Sequence, residues 1–499
     1  MARRRSVGCR SLSAFESIPL ETLEARCLLT GNVTAKVVHG DLVIRGDSES
    51  NAIRIEYTGT PGEFKITGSG TTVNGLANVT LSGVTDDMTI KMGNGDDNVY
   101  MFADGTKHFS IPDRLTVSQG SGTNSLLMQA ENTAQILVGG DVSVKGGNDI
   151  DSVLIQANGA GSLVSFSGNL KAVLHGGTSG VLLQANGANS ALLVSGTTSY
   201  TGGSDTDSLF FQAQSINARV EPTGSVTFKA GSGNNSLFLQ ANSDGSKVVA
   251  HNDVTYSGGG GIDSVFLSPN STNTLVEVVG NLNVNAGDND GYLYLQPVSA
   301  SGIAKVDGDV TFTGGHGDNG VYLQPIGTSS KAEIGGKLTT QLGDGSNTTY
   351  LQPVGTGATV SVGGGVSYDG SFGEDSFNIQ AIGMNSGVTV SGLLDVHLGG
   401  GTNYITVETI GTGSSSLVTG DASFVGGNGV DNFALLQIGG NQVKFNSNLS
   451  VSMLGGDDFL SINGLNVLGT ATFNGGSGNN TLTNSGGHTF NIPPTFTGF

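Results

Sequence analysis

A glutamine recurs every 28 residues along this chain: Gln156, Gln184, Gln212 and Gln240, then, past Ser268, Gln296, Gln324, Gln352 and Gln380. A period held this strictly means one structural unit stacked on itself, so each position of the unit becomes a column in space. Segments starting at 141, 169, 197, 225, 253, 281, 309, 337, 365, 393 and 421 align without gaps. Slightly shorter units start at 87 and 114 and a degraded one at 449, giving about fourteen units between residues 87 and 476. Positions are counted below from the first residue of each unit.

Each unit carries three short runs of alternating apolar residues, the pattern of half-buried strands. In the unit at 141 the inward pairs are Val142 with Val144, Val153 with Ile155, and Val164 with Phe166. Glycine-rich turns separate the runs, and the last position of most units is glycine (Gly168, Gly196, Gly224, Gly280), as a turn with positive φ would select. No helical pattern of useful length follows residue 30. Three strands and three corners per 28 residues describe one coil of a parallel, all-β solenoid, right-handed by the usual rule for parallel crossovers. Coils stacked at about 4.8 Å make a rod on the order of 65 Å long. Residues 32–86 fall outside the 28-residue frame and read as an N-terminal β-cap. Residues 477–499 would close the other end, with Pro493 and Pro494 blocking further pairing.

Composition narrows the function classes. The chain has 499 residues, 82 of them glycine, and a formal charge of −20. The negative balance argues against nucleic acid as a partner, and arginine is absent after Arg219, so no arginine-rich phosphate-neutralising track exists. No apolar run approaches the ~18–20 residues of a transmembrane span. Cys9 and Cys27 both precede the repeats, which excludes thiol chemistry and cysteine-based metal sites within them.

Residues 1–31 read as a targeting segment. Arg3, Arg4 and Arg5 are followed by Phe15-Glu16 and then by Leu23, Glu24, Ala25, Arg26, Cys27, Leu28 and Leu29. This resembles the LEPR-xLL-type N-terminal segment of large planctomycete surface and secreted proteins, with Ala25 standing where that family has proline. The resemblance implies export to the cell surface or beyond. A standard secretory signal is a poor match, because no apolar core of 7–15 residues follows the basic start.

Three columns could carry chemistry. The turn after the first strand reads GGNDID, GGSDTD, GGGGID, GGHGDN and GGNGVD, and it resembles the GGxGxD turn of RTX-type calcium-binding β-rolls, although there it recurs about every nine residues. Its last position holds Asp151, Asp207, Asp263, Asn319, Asp375 and Asp431 in alternate units, with Ser179, Asn235, Gly291, Asn347 and Asn403 between them. Carboxylates two coils apart cannot share one calcium ion. The alternation therefore reads first as a structural ladder in which Asn donates to Asp, and calcium is a possible cofactor. The local pairs Asp96–Asp97 and Asp457–Asp458 are the better metal candidates. The glutamines, at position 16, read as a stacked amide ladder. At position 14, Phe210, Phe238, Phe266, Tyr294, Tyr322 and Tyr350 occupy six successive units. They form either an outward stripe able to bind polysaccharide, cell-wall material or a protein, or a column of mutually stacked rings.

The seven histidines share no column and no partner spacing. The expectation is a non-catalytic structural or adhesive rod, extracellular or at the cell surface. The alternative is a carbohydrate-active β-helix enzyme, a lyase or hydrolase, whose cleft would need long inserted loops that the gapless units lack.

Overall fold

The computed structural model describes residues 31–499; residues 1–30, with Cys9, Cys27 and the residues read from sequence as a targeting segment, lie outside them. Among the described residues every regular element is a β-strand. From Met88 onward the first, middle and third strand of each coil pair in parallel with their counterparts in the next coil, giving three sheets that run the length of the rod. Gln156 lies opposite Gln184, and Gln184 opposite Gln212, in adjacent coils. About 13 turns of ~28 residues lead from Met88 to Leu449; the next first strand, starting at Ala471, follows after a shorter coil.

The alternating apolar residues point inward as their spacing dictates. Val142, Val144, Val153, Ile155, Val164 and Phe166 are all buried, and equivalent residues continue the core from coil to coil.

Residues 32–86 are folded differently and sit on the first coil. Asn32–Val38 and Asp41–Arg45 form an antiparallel hairpin, and Asp41–Arg45 also pairs in parallel with Met88–Lys91. Ala52–Tyr57 pairs antiparallel with Phe64–Gly68 and parallel with Asn98–Asp104. These hairpins therefore cover the edges of the first and middle sheets. At the other end, Thr481–Asn484, Thr489–Phe490 and Thr495–Thr497 add one more parallel strand to each sheet. Pro493 and Pro494 fall in the turn before the last strand. Leu482, Phe490 and Phe496 pack on the core, which is why this segment extends the stack in register.

One sequence-based reason needs correction. The glycine ending each unit does not have positive φ. That conformation belongs to position 21, between the middle and third strands, held by Gly161, Asn189, Asn217, Gly245, Asn273 and their successors. The terminal glycine is required by stacking: a Cβ on Gly196 would lie 2.5 Å from Asn169 Oδ1 and 2.7 Å from the Gly168 carbonyl carbon one coil below.

Candidate functional face

The outer face of the middle sheet carries four columns, at positions 12, 14, 16 and 18. Strand parity turns these side chains away from the apolar residues at 13 and 15. Phe210, Phe238, Phe266, Tyr294, Tyr322 and Tyr350 are all half-buried in the position 14 column. Their rings stack nearly parallel. Centroids are 4.6 Å apart for Phe210 and Phe238, 4.7 Å for Phe238 and Phe266, and 4.8 Å for Phe266 and Tyr294. The column continues to Tyr322 at 4.8 Å and to Tyr350 at 5.9 Å, where the planes open to 22°. Each interior ring thus has both faces occupied by its neighbours and turns an edge outward.

The glutamines run beside the rings. Gln212 Nε2 donates to Gln240 Oε1 at 2.8 Å, Gln324 to Gln352 at 2.8 Å and Gln352 to Gln380 at 2.7 Å, the amide ladder expected from the period. Ser268 interrupts it.

Two glycines break the position 12 column. At Gly320 the gap is filled, because a Cβ there would come within 2.4 Å of the Tyr322 ring. At Gly180 the same-coil neighbour is Leu182. A notch of about 230 Å³ remains, lined by Ser152, Leu154, Gly180, Leu182 and Phe210.

From Ser152 to Ile382 these four columns contain no charged residue through nine successive coils. The other sheets differ. Lys145, Lys171 and Lys229 project from the first sheet, and Arg219, Glu221 and Lys247 from the third. Towards the N-terminus the uncharged run ends at Glu131, in the position 18 column, which accepts from Asn158 Nδ2 at 3.0 Å. Two strands further on, the Arg54 guanidinium lies over Tyr100 at 5.0 Å and Phe102 at 4.2 Å while pairing with Glu56 at 2.9 Å.

The position 18 column escaped the sequence reading although the same column-by-column logic exposes it. It is amide in the first half of the rod (Asn158, Asn186, Gln214, Asn242, Asn270) and aliphatic in the second. Val298, Ile326 and Val354 are 41%, 42% and 37% exposed.

The acidic turn column lies inside the rod. Asp151, Asp207, Asp263, Asp375 and Asp431 are buried. Asn124 Nδ2 donates to Asp151 Oδ1 at 2.9 Å, Asn235 to Asp263 at 3.1 Å, and Asn347 to Asp375 at 2.9 Å, the Asn-to-Asp alternation read from sequence. Tyr200 and Tyr256 hydroxyls donate to Asp207 and Asp263, each at 2.6 Å. Burial pushes Asp97, Asp263 and Asp431 up to about 6.

Of the local acid pairs, Asp97 and Asp458 belong to this buried column, whereas Asp96 and Asp457 are exposed. Asp96 Oδ1 accepts from the Thr123 amide and Asp457 Oδ1 from the Asn479 amide, both at 2.8 Å. Each pair thus divides between the interior and the surface of its turn. Among the described residues the one cluster of three acids with ligand atoms within 4.8 Å is Asp86, Asp87 and Asp113, which the sequence reading did not single out. Asp113 comes together with the other two only across adjacent coils, and Arg114 pairs with Asp87 at 3.1 Å.

No family model matches this sequence, and no curated protein matches it. The reading of the face therefore rests on its own geometry.

Proposed function

We propose that this protein is a non-catalytic structural or adhesive rod that works outside the cell or at its surface. The observation that carries the reading is the closed character of its repeated columns. Aromatic faces and glutamine amides are engaged by the same residue types one coil away, and turn carboxylates by the Asn amides of the neighbouring coil, so repetition stabilises length. The LEPR-xLL-like segment supports export. Sugar recognition by aromatic side chains uses a ring face, and the interior rings of the column have both faces occupied. This favours the structural reading over polysaccharide binding along the stripe.

The test is fractionation of the native cells with an antibody to the repeat region, together with protease shaving of intact cells. The expected result is recovery with the surface or medium fraction and loss of the signal on shaving. Recovery in the cytoplasm, protected from protease, would overturn the proposal.

A further inference from the structure

We propose that two copies of this chain associate side by side through the charge-free outer face of the middle sheet. The inference rests on the structural reading above and names its partner.

The first argument is charge. A molecule carrying −20 repels its own copies, and charged residues stand on the outer faces of the first and third sheets. The middle face, between Ser152 and Ile382, is free of them through nine coils. Its edge towards the first sheet is an acidic corner that includes Asp149, Asp205, Asp290 and Asp318. An uncharged centre with a charged rim is the ordinary anatomy of an interface.

The second argument is size. Nine coils at about 4.8 Å and the seven extended positions from 12 to 18 at about 3.3 Å give a face roughly 40 Å by 20 Å. That is about 800 Å², the footprint per partner of a standard stable interface. The third is chemistry. Exposed Val298, Ile326 and Val354 form a continuous aliphatic ridge beside the amide and ring columns. Burial against a like surface removes that ridge from water. The fourth is spacing: every column repeats at the inter-coil rise, and a second copy offers the same rise over the same length.

The rim sets the salt dependence. Acids on both copies approach one another as the faces meet, and screening relieves that repulsion. Association should tighten as salt is raised, the reverse of pairing through opposite charges.

The experiment is sedimentation velocity of the full chain from low to high micromolar concentration, at low and high salt. The expected result is a concentration-dependent dimer that strengthens with salt. Val298→Glu with Ile326→Glu should weaken it at least tenfold. Thr311→Glu with Thr313→Glu, on the first sheet, should leave it unchanged. Thermal melts of both double variants separate lost pairing from lost folding, since the four positions are half-buried or exposed. A wild type that sediments as a monomer throughout, or a dimer indifferent to Val298→Glu with Ile326→Glu, would overturn the proposal. So would wild-type monomer that co-sediments with purified wall polysaccharide and loses that binding in the same variant, because the face would then belong to a glycan. Localisation by fractionation is independent of these outcomes, so the structural reading stands or falls separately.

Discussion

Gly146 and Asp151 show why single residues in this rod come as pairs. A Cβ on Gly146 would lie 2.0 Å from Asp151 Oδ2, and the same relation links Gly202 with Asp207, Gly258 with Asp263 and Gly426 with Asp431. In intervening coils the partner is larger and the turn residue smaller or neutral: Leu174 with Ser179, Ala230 with Asn235, Ala286 with Gly291. The buried carboxylate thus occupies volume that an aliphatic side chain fills one coil later. Its burial also fixes the pH response. Asp97, Asp263 and Asp431, at about 6 in the folded rod, sit above the unfolded value near 3.8. The folded state therefore holds protons that the unfolded chain releases between about pH 4 and 6, and stability falls as pH rises through that window, by up to about 3 kcal/mol per group. Asp47, Asp344 and Asp421, held below their ordinary value, oppose this only in more acidic solution. Thermal melts should show a higher midpoint near pH 4 than at pH 7, and Asp263→Asn should flatten the dependence. A midpoint that rises from pH 4 to 7 would contradict the assignment. The Asp and Asn alternation was legible in sequence because it is a column. The compensating Gly and Leu column was not read, because nothing in a linear sequence says that positions 6 and 11 share one volume.

Among the elements, the ring column of the middle strands has an unfinished end. Phe210 stacks on Phe238, while its other side faces Leu182 and the notch over Gly180. Tyr322 over Gly320 shows what an aromatic ring does with such a gap. Leu182→Phe should extend the column by one ring and raise stability by about 0.5–1.5 kcal/mol, the value of a well-placed aromatic pair. Adding Gly180→Ser should preserve most of that gain, since Phe210, Phe238 and Phe266 stack in coils that carry Ser208, Ser236 and Ser264 at the same position. Urea unfolding of the single and double variants checks both, and a destabilising Leu182→Phe would mean that the notch is too shallow for a ring. The inward and outward parity of all three strands was readable from the alternation alone. Ring orientation was not, since spacing places six aromatics on one face but does not say whether they lie flat or stack.

For the whole molecule, the alternation makes the natural unit two coils. Deleting residues 197–252 would join the Ser179 coil to the Asp263 coil and preserve the pattern. Deleting 225–252 would set Asp207 directly beneath Asp263, two buried carboxylates about 4.8 Å apart. At pH 7 the longer deletion should melt above the shorter one despite losing more rod; the reverse order would mean that the alternation is incidental. Chelation should matter little, because the turn carboxylates are engaged by Asn, Tyr and backbone donors. A large fall in melting temperature with chelator would show that calcium holds the rod after all. The period made the rod and its three sheets readable, whereas the antiparallel hairpins at residues 32–86 were legible only as a departure from it. The ladders also have a mechanical consequence. Backbone hydrogen bonds between coils run along the rod axis, so tension on the two ends loads them lengthwise. Each coil that detaches surrenders one inter-coil step and releases about 28 residues of slack, roughly 90 Å of contour. Under load the molecule should lengthen in repeated, nearly equal steps of that size, a sawtooth that single-molecule pulling would record.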